Sequence, residues 1–315
     1  MRRDFDPQKF IDDAILKIRH EVGNQKAVVA LSGGVDSSVT AELGHRALGN
    51  NLIAVFLDDG LMREGEPESV VRIFRERGLN VQLRDVREIF LNALKGIVNP
   101  EDKRKAFRAT FYKVLADILK EVGAKFLLQG TIAADVVETV KGVKTQHNVL
   151  SQIGIDPIKE YGYKVIEPLS SLYKHQVRMV AEALKLPRAI VERRPFPGPG
   201  LSVRVIGEVT AERLEIVRRA TKIVEEETSH ISCFQAFAVL MQDKATGLSQ
   251  DGGRKYGEII VVRIVDSTDA MTAEPSRISW DILERISRRI TEAIPSVTRV
   301  LYDITSKPPA TIEFE

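Results

Sequence analysis

The sequence of 315 residues has a single cysteine, Cys233, which excludes an internal disulfide framework, a Cys-rich zinc site and two-thiol sulfur-relay chemistry. A reducing, cytoplasmic setting is expected from that scarcity. Net charge is equally scarce: 46 Lys+Arg against 44 Asp+Glu leave +2, too little for the broad basic field that a nucleic-acid partner calls for. Apolar runs are strand-length, as at 259–262, and none approaches the roughly 20 residues of a membrane span. The opening Met-Arg-Arg-Asp-Phe-Asp-Pro lacks the apolar core of a signal peptide. No membrane and no secretory route are therefore expected. With 43% hydrophobic and 29% charged residues the chain is an ordinary globular one. Its length points to two cores, since one core seldom grows past about 250–300 residues.

Asp6-Pro7 reads as a helix cap followed by proline at the first helical position, with Phe10, Ile11, Ala14, Ile15, Ile18 and Val22 along one face. Short apolar runs then alternate with helical patterns: runs at 27–31, 52–57, 81–86 and 126–129, and helices after Asp36, after Pro67 and over 107–122. Continuous buried strands separated by helices predict an α/β unit, a doubly wound, mostly parallel sheet covered on both faces. Periodicity fails over about 140–163, a length that suits a lid, and helix resumes at 175–184. Arg193-Arg194-Pro195-Phe196-Pro197-Gly198-Pro199-Gly200 stops any regular element, so domains are expected at 1–194 and 195–315. The second half reads as an apolar run at 201–206, helices at 211–227 and 280–294, and strands near 234–241, 258–265, 299–304 and 310–314. That order predicts a second, smaller α+β domain with its helices on one sheet face.

Ser32-Gly33-Gly34-Val35-Asp36-Ser37-Ser38 follows a strand and opens a helix. Two glycines let successive N–H groups converge, and the helix N-terminus adds partial positive charge, so the turn suits a phosphate or pyrophosphate. The hydroxyls of Ser32, Ser37 and Ser38 are further donors. Asp36 would repel a bare phosphate and makes sense if Mg²⁺ lies between the two. A Gly-rich turn with Asp36 as a plain helix cap is the alternative for Ser-Gly-Gly alone. The Walker-A lysine and the spaced glycines of dinucleotide folds are absent. Asp58 and Asp59 end the next strand, and Gln129-Gly130-Thr131 with Asp135 and Glu138 end a later one. Both places lie where α/β folds bind ligands, although turn roles account for these residues equally well.

The string from Val28-Val29-Ala30-Leu31 through Ser38 resembles the PP-loop of N-type ATP pyrophosphatases, which implies an adenine nucleotide α-hydrolase-like fold and cleavage of ATP between the α and β phosphates. Lys103-Arg104-Lys105, Gln129-Gly130-Thr131, His147-Asn148, Phe196-Pro197-Gly198-Pro199-Gly200-Leu201, Arg204-Val205-Ile206-Gly207-Glu208, Arg254-Lys255-Tyr256 and the tail from Leu301 to Glu315 together resemble GMP synthetase over nearly the whole chain. The resemblance implies adenylation of the C2 oxygen of XMP by ATP, followed by displacement of AMP by ammonia. It implies Asp36, Lys144 and Asp135 as catalytic residues, with Asp36 and Asp135 on Mg²⁺. Residues 32–38 would hold ATP, and Arg104, Arg193, Gln250, Lys307, Ile312 and Glu313 would contact XMP. Without it, Arg104 and Arg193 would read as solvated cations, Ile312 as core and Lys144 as a surface lysine.

Many members of that family carry a glutaminase domain, and this sequence starts almost directly at the pyrophosphatase motif. Cys233 lacks the flanking glycines of a nucleophile elbow and reads as a packed thiol. The resemblance therefore implies ammonia from a separate class I glutamine amidotransferase subunit, as in archaeal two-subunit systems. It also implies a homodimer through the C-terminal domain. A PP-loop tRNA-modifying ligase and a non-catalytic ATP-binding module are the alternatives. Near-neutral charge and the lone cysteine weigh against the first, and Asp36 with the C-terminal tail against the second.

Overall fold

The computed structural model describes residues 5–133, 157–248, 252–268 and 270–315. It forms two compact units, Met1–Asp58 with Gly65–Val86 and Ala109–Arg193, and Asp59–Glu64 with Arg87–Arg108 and Arg194–Glu315.

In the first unit α1 (Pro7–Val22) starts as the sequence requires, with Asp6 Oδ1 accepting from the amides of Gln8 at 2.9 Å and Lys9 at 3.1 Å. β1 (Ala27–Leu31), β2 (Leu52–Asp58), β3 (Val81–Asp85), β4 (Phe126–Leu128) and β5 (Lys164–Ile166) form one sheet in the order β3-β2-β1-β4-β5, every neighbour parallel. β1 and β2 are buried almost throughout, which explains their unbroken apolar runs. α2 (Val35–Leu48) packs on β1 and against α1 and the helix Lys174–Ala183, while α3 (Glu66–Glu76) packs on β2 and β3. The chain winds outward from β1 to β3 and then returns to place β4 on the other side of β1. The C-terminal ends of β1 and β4 thus flank a topological switch point, where such sheets bind ligands.

Two expectations need correction around this unit. α4 (Arg87–Leu94) precedes a helix α5 that runs Pro100–Val122, starting well before 107. Asn99 caps it through Oδ1, accepting from Glu101 N at 2.9 Å and Asp102 N at 3.2 Å, with Pro100 at the first position. The aperiodic stretch expected to reach 163 ends sooner, because Pro157–Tyr161 is helical and β5 follows. The rest of that stretch lies outside the described residues.

The second unit is built on β6 (Gln235–Leu248), β7 (Arg254–Asp266), β8 (Glu274–Pro275) and β9 (Val297–Tyr302). β7 is central: it pairs antiparallel with β6 and β8 and parallel with β9. The helix Ala211–Glu227 packs on β6, and the helix Trp280–Ala293 packs against it and on β9. Arg285 and Arg289 join the two helices to Glu227 at 2.9 and 2.8 Å. Phe237, Val239, Val261, Val265, Ala273 and Ile312 form a buried core cluster.

One expected strand is absent here, and the apolar run takes another form. Gly200–Arg204 is a 3-10 helix in place of the apolar run at 201–206, and the segment 310–314 belongs to no strand. Pro308 and Pro309 offer no amide donors, so pairing stops at the isolated bridge between Lys307 and Ala273, and the tail packs by side chains instead.

Candidate active site

The turn between β1 and α2 is set by glycine. Gly33 has φ +72°, and a Cβ there would lie 2.3 Å from Arg193 Nη1 and 2.8 Å from Val70 Cγ2. Gly34 is the N-cap of α2 and brings no side chain to satisfy the helix. Ser38 N donates to Gly34 O at 3.0 Å, so the amides at 35–37 are the ones left without an intrahelical acceptor. The serines stiffen the turn: Ser32 N donates to Ser37 Oγ at 3.2 Å, Ser37 Oγ donates to Gly34 O at 3.1 Å, and the two hydroxyl oxygens lie 3.0 Å apart. Ser38 differs, being fully buried in α2, whereas Ser32 is exposed and Ser37 half-buried at the turn.

Asp36 stands in the first turn of α2, and its Oδ2 accepts from Lys174 Nζ at 2.5 Å. Lys174 was missed in the sequence because nothing local marks it; 138 residues separate the pair. From the other side of the switch point comes Gly130, where a Cβ would lie 2.9–3.0 Å from the backbone of Asp36 and Ser37. The strand end thus packs backbone to backbone on the helix start. Its neighbour Thr131, almost fully buried, donates from Oγ1 to Glu167 at 2.6 Å.

The donor set suits Mg²⁺. Among the described residues no three His, Cys, Asp or Glu side chains cluster to hold a metal by themselves, while Asp36 offers one carboxylate in the first turn of a helix whose N-cap is glycine. Mg²⁺ is commonly held by one or two carboxylates together with substrate phosphates. Asp135, Glu138, Lys144 and Gln250 lie outside the described residues.

The remaining candidates separate. Asp59 is buried, and its Oδ1 accepts from Leu61 N at 2.8 Å, a turn role. Arg193 lies in the first unit, where it donates from Nη1 to Ser32 O at 3.2 Å and pairs with Glu66. Arg104 pairs with Glu101 on the same helix. Ile312 is buried in the core cluster, and Lys307 Nζ donates to Ala270 O at 2.7 Å. Glu313 takes a bidentate pair from Arg204 at 2.9 and 2.8 Å and a third hydrogen bond from Gln235 at 3.1 Å. Arg204 is almost fully buried, with its guanidinium 4.0 Å from the Phe237 ring centroid, so this pair orients the tail. Lys103 does the same one step further on, donating to Val205 O at 2.7 Å and pairing with Glu315. Burial pushes its ammonium below the ordinary lysine value. Cys233 is half-buried, and burial pushes its thiol up, as suits a packed thiol.

Residues 8–201 match the family described as NAD synthase, and residues 222–314 match the GMP synthase C terminal domain. The chain is 51% identical to the B subunit of the glutamine-hydrolyzing GMP synthase of Methanocaldococcus jannaschii, over 99% of this chain and 100% of that protein. This chain belongs to the family of GMP synthase B subunits. The relative from Archaeoglobus fulgidus is 52% identical over 98% of this chain and 100% of its own length, and that from Pyrococcus furiosus 51% over 98% and 97%. Among solved structures, an NH3-dependent NAD synthetase from Campylobacter jejuni is 22% identical with a TM-score of 0.47, covering 60% of this chain and 78% of its own. Membership of the GMP synthase family extends to the tail, so Lys103, Arg204 and Glu315 serve a segment that the family match includes almost to its end.

Proposed function

We propose that this chain is the ATP-using synthetase subunit of a two-subunit GMP synthase. It would convert XMP to GMP by adenylating the C2 oxygen and then replacing AMP with ammonia from a separate glutaminase. The observation that carries this reading is the turn 32–38, where a helix N-terminus without a side-chain cap and a carboxylate stand together at the switch point of a parallel sheet. The near full-length likeness to GMP synthase B subunits supports the choice of substrate.

The chemistry follows from the atoms. The C2 oxygen of XMP attacks the α-phosphorus of ATP as the adjacent ring N–H gives its proton to solvent, the bond to the bridging oxygen breaks, and pyrophosphate leaves with the electron pair. Ammonia then adds at C2, AMP departs, and the surplus proton passes to solvent. The amides at 35–37 and the Ser32 and Ser37 hydroxyls would hold the departing pyrophosphate, where negative charge builds up. Asp36 would hold Mg²⁺, which when bound offsets phosphate charge. Lys174, released from Asp36, would add its ammonium to the same anion. Asp135 and Lys144 are carried into this proposal by the resemblance alone.

The assay that tests the reading combines the protein with ATP, Mg²⁺, XMP and ammonium and follows AMP, pyrophosphate and GMP. Pyrophosphate release that does not depend on XMP would sink it. At the XMP site, Lys307 is the candidate phosphate ligand, held in place by Pro308-Pro309 and the bridge to Ala273. Lys307→Ala is expected to raise the KM for XMP about tenfold, the order of one charged hydrogen bond, with the KM for ATP unchanged; an unchanged KM for XMP would remove Lys307 from the site.

The homodimer also belongs to this proposal. Leu301 of β9 is exposed and Ile304 just beyond the strand is exposed too, an apolar face at the end of β9. A second copy covering that face is expected to give a dimer mass in light scattering, and a monomer mass would count against it.

A further inference from the structure

Glu66 is the first residue of α3, and its carboxylate is buried, with only 7% of the side chain exposed. A carboxylate is favoured at a helix N-terminus, but a buried one needs a charged partner, which here is Arg193. Arg193 in turn reaches the pyrophosphate turn: Nη1 donates to Ser32 O, and the same nitrogen occupies the space beside Gly33 that a Cβ would fill. Glu66 Oε1 lies 3.3 Å from that same Cβ position. The guanidinium therefore touches the turn at a carbonyl.

We propose that Glu66 and Arg193 are a positioning pair that fixes the pyrophosphate turn, with Glu66 acting through Arg193. The inference rests on the ATP reading of the turn given above. A loop that binds an anion must aim its amides at the ligand and its carbonyls away. The forked guanidinium takes the Ser32 carbonyl, and Glu66 holds the fork in register. Because Glu66 offsets the guanidinium charge, the pair contributes geometry more than attraction. Lysine at 193 would keep the charge but lose the fork. The two readouts below separate this role from the XMP contact that the resemblance gives Arg193.

The test uses the full chain with ATP and Mg²⁺ in calorimetry, then steady-state kinetics with ATP and XMP varied in turn. Glu66→Gln keeps the shape and removes the charge; Arg193→Lys keeps the charge and removes the fork. Each is expected to weaken ATP binding and raise its KM about tenfold, the scale set by small displacements of a binding group, while the KM for XMP stays within about twofold. The double variant should bind ATP no more weakly than the weaker single, because both changes break one contact. ATP binding by Glu66→Gln that matches the unmodified chain would overturn the inference, and so would a KM for XMP that rises as much as that for ATP. A lowered melting temperature with unchanged ATP affinity would assign the pair to stability and overturn it too. If the unmodified chain bound no ATP, the ATP reading itself would fall, and the inference with it.

Discussion

Asp36→Asn is expected to lower XMP-dependent pyrophosphate release by about a hundred- to a thousandfold, the range seen when one electrostatic group at a reacting centre is removed. Asparagine keeps the size of the side chain and the helix it stands on, so melting and circular dichroism should be unchanged. What is lost is the negative charge that pairs with Lys174 and would hold Mg²⁺ against the phosphates. ATP binding measured without divalent cation should hold or improve, because a carboxylate no longer repels the anion at the helix N-terminus. Binding with Mg²⁺ should lose its advantage over binding without it. Wild-type turnover in the variant would show that Asp36 has no part in the metal site.

Lys103→Met is expected to destabilise the second unit by about 3–5 kcal/mol, the cost of leaving one member of a buried ion pair alone. Lys103 is fully buried, and the Glu315 side chain is only 5% exposed, so the carboxylate left behind has little access to water. The Val205 carbonyl loses a hydrogen bond of 2.7 Å at the same time. Urea unfolding of the variant measures the loss, and Lys103→Met with Glu315→Gln should recover part of it, because the stranded charge is gone. A single variant as stable as the parent would mean that water reaches the pair. The tail that Glu315 anchors also carries Glu313 and Lys307, so the KM for XMP should rise in parallel.

The parts of this protein that are readable in sequence are those whose determinants are local. Ala27–Leu31 is unbroken because it is buried on both sides, Gly33 has no side chain because the turn has no room for one, and Asp6-Pro7 caps its helix through adjacent amides. Asn99-Pro100 carries the same kind of signal and marks the true start of α5, well before the apolar face makes the helix obvious. Other features depend on the finished fold. Lys174, Glu66 and Arg193 meet the turn only after the sheet has brought distant segments together, and nothing beside them in the chain announces it. The tail misled differently: its apolar residues alternate as in a strand, yet Ile312 packs as a core plug beside two prolines that cannot extend a ladder. Segments 59–64 and 87–108, which read as part of the first half, cluster with the second unit.

The strand order carries a consequence for how the chain acquires its activity. The turn at 32–38 follows β1, early in the chain, but one of its walls is Gly130, which arrives with β4 after β2, β3 and the long helix α5 have been made. During synthesis the turn exists as a sequence long before it can exist as a site. A chain that stops short of β4 keeps every residue of the Ser32–Ser38 motif but lacks the backbone that Asp36 and Ser37 rest against. On the proposed reading of the turn, competence to bind ATP would be tied to completion of the sheet, and the nucleotide would report on folding as well as on chemistry.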